Sequence, residues 1–337
     1  MIRRELSIAL QTDKTPAQYV ELAQLVDGYG FDALTVYGDL PFHPSFGPLL
    51  LMAPHVRRAR LGPAGVSPSR MSPVDIAASA ALLALATPGG AYLGLVRGAW
   101  LAEHGIREPD DPIRAIRETI EIVRALHTGA PGGYEGQVYR LAGHVRAPYP
   151  LPEQPVPVLI GTWGPRLAAL AGELADEVKV GGSANPDMVP VMQGYIGAGE
   201  ARAGRPVGTV GVVLGAVTVV DEDREAARAL ARREVALYLP VVARLDPTVE
   251  VPLDLVERIR QHVNTGEPDR AARLISDDLL GRFAFAGTPA DLIEHCEAIF
   301  EAGARRVEFG TPHGLSAGEG IRLLGEKVLP ALRSARG

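Results

Sequence analysis

Short runs of β-branched and aliphatic residues alternate along this chain with longer stretches whose apolar positions recur every three or four residues. That alternation predicts parallel βα units. Eight strands are expected, at Leu6–Leu10, Ala33–Tyr37, Ala59–Gly65, Ala91–Val96, Val156–Gly161, Glu177–Val180, Val210–Val220 and Arg305–Phe309. Eight is the number at which such a sheet closes around its own side chains, so the predicted fold class is α/β, a (β/α)8 TIM barrel. The helix starts are well marked. Thr15-Pro16, Ser72-Pro73, Asp111-Pro112, Asn185-Pro186 and Thr288-Pro289 each place a capping oxygen before a proline that has no N–H to leave unpaired. The stripe Tyr19, Leu22, Ala23, Val26 is expected to end at Gly28, and Ile113, Ile116, Ile120, Val123 form a second outer-helix stripe.

Two connections are too long for one helix. Residues 128–155, with Gly132-Gly133 and a proline-rich run up to Pro155, read as a surface excursion. Residues 221–287 are expected to form a helical insertion between the seventh and eighth strands, of the sort that covers a barrel mouth. No repeat or splitting linker interrupts the pattern, so residues 1–337 are expected to form a single domain.

Composition removes several classes of function. Apolar residues make up 47% of the 337, enough for a large core without disulfides or metals. A net charge of −6 offers no basic field for nucleic acid or an anionic membrane. No apolar run reaches transmembrane length, so the expected partner is a small molecule. The lone Cys296 forbids an internal disulfide, which fits a cytoplasmic location, and its place in the stripe Leu292, Ile293, Cys296, Ile299, Phe300 reads as a packed thiol.

In a parallel barrel the loops after the strands carry the chemistry. After the fifth strand, Gly161-Thr162-Trp163-Gly164-Pro165-Arg166 combines close backbone approach, a helix start and a cation, which suits a phosphate. Gly181-Gly182-Ser183 follows the sixth strand. Gly65-Val66-Ser67-Pro68-Ser69-Arg70 follows the third, and Arg97-Gly98-Ala99-Trp100 the fourth. Asp39, His43 and Glu103 are the acid/base candidates, with His104 and His313 as further loop histidines. No histidine pair or cysteine cluster has metal-ligand spacing, and no Gly-x-Ser-x-Gly elbow or Walker loop occurs.

Taken together, these segments resemble the bacterial-luciferase-like superfamily, in particular its branch using the 5-deazaflavin coenzyme F420. The likeness rests on Gly30-Phe31-Asp32-Ala33, Arg60-Leu61-Gly62, Gly65-Val66-Ser67-Pro68-Ser69-Arg70, Pro88-Gly89-Gly90-Ala91-Tyr92-Leu93-Gly94-Leu95, Pro157-Val158-Leu159-Ile160-Gly161, Leu170-Ala171-Gly172-Glu173-Leu174-Ala175-Asp176-Glu177 and Gly287-Thr288-Pro289. The end, Gly310-Thr311-Pro312-His313-Gly314, is similar to methylenetetrahydromethanopterin reductases. The resemblance implies a non-proline cis peptide at Gly65-Val66 behind the deazaflavin ring, and hydride transfer between the ring and a small, pterin-like substrate. It implies cofactor contacts from Gly65, Val66, Ser67, Arg97, Gly161, Thr162, Trp163, Gly164, Pro165, Arg166, Gly181 and Gly182, no metal, and a homodimer.

The pattern also departs from the family. Asp39-Leu40 replaces an Asp-His, Gly89-Gly90 a Gly-Arg, and Ala99 the Glu of many deazaflavin dehydrogenases. An FMN-dependent monooxygenase and a non-catalytic cofactor-binding barrel are therefore alternatives. A Schiff-base aldolase is disfavoured, because none of Lys14, Lys179 and Lys327 clearly ends a barrel strand.

Overall fold

The computed structural model describes residues 4–129 and 132–334. Among them, the strands in chain order are β1 (Glu5–Leu10), β2 (Ala33–Val36), β3 (Arg60–Pro63), β4 (Leu93–Leu95), β5 (Tyr134–Glu135), β6 (Arg140–Leu141), β7 (Val158–Gly161), β8 (Glu177–Gly181), β9 (Gly211–Val220), β10 (Ala284–Gly287) and β11 (Arg306–His313). Strands β1 to β4, β7 to β9 and β11 are the eight of the expected (β/α)8 TIM barrel, and helices separate them.

The chain divides into two compact units, one of Met1–Ile8, Lys179–Gly194 and Gly211–Gly337, the other of Ala9–Val178 and Tyr195–Val210. In the first, β11 lies between β1 and β9 in parallel, with Glu5 opposite Arg306 and Arg306 opposite Val213. In the second, β2 runs parallel to β3, and β4 parallel to β7. The eight barrel strands are largely aliphatic and almost wholly buried, as parallel strands covered on both faces must be.

Four of the five expected caps form. Thr15, Ser72, Asp111 and Thr288 each accept the N–H three residues on, and Gln18 and Asp291 return the bond to Thr15 and Thr288 as capping boxes. The first helix runs one residue past its expected stop, to Tyr29, and closes on Gly30 at φ 84°. Asn185 differs: its Oδ1 accepts the N–H of Asp187, two residues on, at 3.1 Å, and the regular helix starts only at Met188. The Asn185 amide also donates to Asp246 Oδ2 at 2.9 Å and Thr248 Oγ1 at 2.7 Å, while its oxygen accepts from Arg282 at 2.7 Å.

Both excursions contain strands the pattern did not announce. Within 128–155, β5 and β6 pair antiparallel. The buried Glu118 carboxylate, on the helix Pro112–His127, accepts the N–H groups of Gln137, Val138 and Tyr139 at 2.7, 2.9 and 2.8 Å. Glu118→Ala therefore strands three donors, and we expect a loss of roughly 2–4 kcal/mol, read by chemical denaturation. Within 221–287 lie helices at Arg224–Val242, Leu253–Asn264, Pro268–Arg273 and Asp277–Phe283. The last four residues instead form β10, which lies parallel to Val217–Val220 of β9. Cys296 is buried, as expected of a packed thiol, and burial pushes its pKa up.

Candidate active site

In the unit of Ala9–Val178 and Tyr195–Val210, the ends of four strands approach closely, three through backbone and the fourth through the Val96 side chain. A Cβ added to Gly38, after β2, would lie 2.2 Å from the Gly65 carbonyl oxygen. One on Gly65, after β3, would lie 2.9 Å from the Gly94 oxygen and 3.0 Å from Val96 Cγ1; one on Gly161, ending β7, would lie 2.7 Å from that same Cγ1. Only glycine permits such approach. Ser67, 2% exposed, donates its hydroxyl to the Arg97 carbonyl and accepts the Ser69 N–H at 3.2 Å, tying the third loop to the fourth. The structure thus brings Gly65, Val66, Ser67 and Gly161 together. The non-proline cis peptide joins Ala64 to Gly65, one bond earlier than the resemblance implied. Val66 instead forms an isolated parallel bridge with Leu95, donating to Gly94 at 2.8 Å and accepting from Val96 at 3.0 Å.

Beyond Gly161, Thr162 Oγ1 accepts the Gly164 N–H at 3.0 Å and closes the turn. The helix Pro165–Leu174 then starts from Gly164 with no side-chain cap, unlike those behind Thr15, Ser72, Asp111 and Thr288. Its first N–H groups are orphan donors aligned with the positive end of a helix. Trp163 is half-buried, and Pro165 and Arg166 are exposed. Arg166 lines a cavity of about 420 Å³ with Asp111, Arg114, Arg117, Glu173 and Arg202.

The acid/base candidates differ in environment. Asp39 is half-buried, and its Oδ2 accepts Gln11 Nε2 at 3.0 Å. Gln11 is itself fixed, since its oxygen accepts the Thr12 N–H at 2.8 Å. Arg70 donates to the Gly38 carbonyl beside Asp39. Gln11 and Arg70 were not singled out as site residues; the one available signal for Gln11 is its place just after β1. His43 and Glu103 are exposed. Arg97 is half-exposed and gripped by both oxygens of Glu108 at 3.0 Å, whose hydrogen bonds raise the guanidinium above its usual range. Its charge is met within the chain by Glu108.

The other unit carries the remaining candidates. Gly182, at φ 85°, donates its N–H to the Gly215 carbonyl at 2.6 Å, and Ser183 donates to the same oxygen at 3.2 Å. The expected Gly182 donor is thus engaged internally. Gly181 is exposed, and His313 is fully buried rather than a surface histidine. Below the glycines lies a buried charge cluster absent from the sequence expectations. Lys179 pairs with Glu308, Ser7 Oγ donates to Glu308 Oε2 at 3.4 Å, and Arg306 Nη1 lies 3.9 Å from that oxygen. Gly215, opposite Glu308, clears the path; a Cβ there would lie 3.1 Å from Lys179 Cε.

A (β/α)8 chain with glycine-lined strand ends and an uncapped helix after β7 belongs to a recognisable class, and the profile of the luciferase-like monooxygenase family matches residues 2–306. The chain belongs to that family. Its relatives include the 5,10-methylenetetrahydromethanopterin reductase of Archaeoglobus fulgidus, 30% identical over 94% of this chain and 97% of the relative. The F420-dependent glucose-6-phosphate dehydrogenase of Nakamurella multipartita is 27% identical over 96% and 94%. The solved coenzyme F420-dependent tetrahydromethanopterin reductase of Methanopyrus kandleri superposes with a TM-score of 0.89 at 24% identity, covering 98% of this chain and 99% of that one.

Proposed function

We propose that this chain is an F420-dependent oxidoreductase that moves a hydride between the deazaflavin and a small organic substrate of pterin-like kind. The observation that carries the reading is the row Gly38, Gly65, Val96, Gly161, which ends beside an uncapped helix start at Gly164-Pro165. The residues suit the coenzyme: glycines at strand ends admit a flat ring against backbone, and orphan amides suit a phosphate. Gly65, Val66 and Ser67 would hold the ring, and Gly161 to Arg166 the phosphate. Bound there, the coenzyme supplies a ring carbon that gives or takes hydride. The chain supplies position and a proton. Asp39 would hold that proton on Oδ1, since Gln11 occupies Oδ2. His43 and Glu103, both exposed and lacking such an orienting bond, are weaker choices.

Fluorescence titration of the purified protein with F420 and with FMN tests the reading. Micromolar or tighter F420 binding with weaker FMN binding supports it; tighter FMN binding overturns it. Oxidation of reduced F420 by no acceptor would instead support a binding protein without turnover. Arg166→Ala is expected to weaken F420 binding by about 1–2 kcal/mol, at the low end for a bond to phosphate because the side chain is exposed. Unchanged affinity removes Arg166 from the site.

A homodimer fits the same chain. The packed helices Phe46–Met52 and Pro73–Ala86 leave Leu51, Val74, Leu82 and Leu85 exposed, Leu82 at 54% and Leu85 at 50%. The double change Leu82→Glu, Leu85→Glu is expected to give a folded monomer by sedimentation; an unchanged sedimentation coefficient would move the interface elsewhere. Among the described residues no helix is long and apolar enough to cross a membrane. We place the protein in the cytoplasm, in keeping with its single buried thiol.

A further inference from the structure

Gly38 stands at one end of the row of strand ends, and its carbonyl accepts a hydrogen bond from Arg70 Nη1. A Cβ on that same Gly38 would lie 2.2 Å from the Gly65 oxygen, so the guanidinium touches the row itself. The stem of the side chain is fixed as well. The Arg70 N–H donates to the Ser67 carbonyl at 2.9 Å, and Ser67 is tied in turn to the Arg97 carbonyl. Arg70 is thus a preset cation at the place where the loops after β2 and β3 meet.

Its charge has no answer within the chain. Arg70 is half-buried, and among the described residues it makes no ion pair. A guanidinium carries five N–H donors, and here one of them is spent, on a neutral carbonyl. Arg58, Arg124 and Arg205 also reach distant carbonyls, those of Asp27 and Gly28, of Leu174, and of Gly172 and Ala175. Each of those carbonyls belongs to the last turn or cap of a helix, whose negative end suits a cation. Arg228 and Arg232 bond carbonyls too, and Asp277 neutralises both; Arg260 bonds Pro240 and has Glu257. Gly38 follows a strand rather than a helix, and no carboxylate comes to Arg70. A half-buried charge left in this state costs free energy that a bound anion would return.

We infer that Arg70 anchors an oxyanion of the organic substrate, a carboxylate or a phosphate. The inference rests on the oxidoreductase reading and adds to it the group by which the substrate is held. The row runs from Gly38 through Gly65 and Val96 to Gly161, so Arg70 and the uncapped amides at Gly164-Pro165 lie at opposite ends of it. A coenzyme phosphate seated on those amides leaves Arg70 to the anion of a different molecule. The planar guanidinium presents parallel donors that match two oxygens of one anion, a fit that a neutral alcohol or amide does not offer. Gly38 directly precedes Asp39, so a substrate held by its oxyanion at Arg70 is brought to the residue proposed to hold the proton.

The test is calorimetric titration of the full chain, saturated with F420, with orthophosphate as the oxyanion probe at constant ionic strength. Wild type is expected to bind phosphate saturably. Arg70→Met, which keeps the apolar stem, is expected to weaken that binding roughly tenfold or more, the scale of one lost charge-assisted contact. Arg70→Lys keeps the charge without the fork and is expected to lose less. F420 affinity, read by fluorescence, is expected to stay within about twofold in both variants, because the coenzyme phosphate lies at the other end of the row. A readout on wild type does not depend on how the variants fold: phosphate is expected to protect Arg70 from phenylglyoxal, followed by peptide mass spectrometry. Absence of saturable phosphate binding, undiminished binding in Arg70→Met, or modification of Arg70 that phosphate leaves unchanged each overturns the inference. A tenfold loss of F420 affinity in Arg70→Met overturns it too, by assigning Arg70 to the coenzyme. Failure of wild type to bind F420 sinks the oxidoreductase reading and this inference with it, whereas F420 binding with unaltered phosphate affinity in Arg70→Met sinks this inference alone.

Discussion

Glu308→Leu is expected to lower the unfolding free energy by about 3–5 kcal/mol, the cost of removing one member of a buried ionic cluster. Glu308 has no exposed surface, and the charges it faces, Lys179 and Arg306, are 5% and 0% exposed. Without the carboxylate, Lys179 loses its ion pair, Ser7 its acceptor and Arg306 its nearby negative charge. Water cannot compensate inside a packed core, so the penalty is desolvation of cations rather than the modest value of a surface pair. The double change Glu308→Leu, Lys179→Met is expected to be milder than Glu308→Leu alone, because it removes a charge along with its partner. Urea denaturation of wild type, Glu308→Leu, Lys179→Met and the double variant settles the matter. A double variant as unstable as the sum of its parts would mean that the two groups do not act as a pair.

The second large effect concerns the row of strand ends. Gly161→Ala is expected to weaken F420 binding at least tenfold, about 1.4 kcal/mol, while the protein stays folded. The new methyl would start 2.7 Å from Val96 Cγ1, and a β-branched valine has little rotamer freedom with which to yield. The strand ends must then move apart by a fraction of an ångström where the coenzyme would lie. Val96→Ala in the same chain removes the colliding atom and is expected to restore most of the affinity. Normal F420 binding by Gly161→Ala would show that the ring does not lie against this row. A double variant as weak as the single would show that Val96 is not what the methyl strikes.

The strands were legible because each is an aliphatic run bounded by glycine, proline or charge. Their ends were less so. The third strand stops at Pro63, two residues before the expected Gly65: Ala64 still donates to Val36 of β2, but Val66 bonds with Gly94 and Val96 on the strand-four side. β10 escaped because Ala284-Phe285-Ala286-Gly287 is too short to show a period and directly follows a helix. Asn185-Pro186 shows a cap signal on local grounds, and Asn185 Oδ1 does accept the Asp187 N–H, but the same side chain's Nδ2 is drawn to Asp246 and Thr248, some sixty residues away, which no local pattern announces.

The candidate site divides in the same way. The glycine-bearing loops after the third and fifth strands could be read from residue types alone, because close approach demands glycine wherever it occurs. The engagement of Arg97 by Glu108, the orientation of Asp39 by Gln11 and the capture of the Gly182 amide by Gly215 could not. Each depends on a partner brought near only by the fold. Lys179 was weighed only as a possible Schiff-base lysine, and its salt bridge spans 129 residues of sequence.

The Asn185 side chain has one further consequence. It fastens the turn following β8 to Asp246 and Thr248 in the stretch between the helices Arg224–Val242 and Leu253–Asn264, and to Arg282 beyond them. Three distant stretches of chain thereby meet at one amide, and Ala184, whose N–H donates to the Arg282 carbonyl at 3.0 Å, adds a backbone bond between two of them. Any swing of the helical stretch that made room for an incoming molecule would have to carry the β8 turn along, or shear these bonds together.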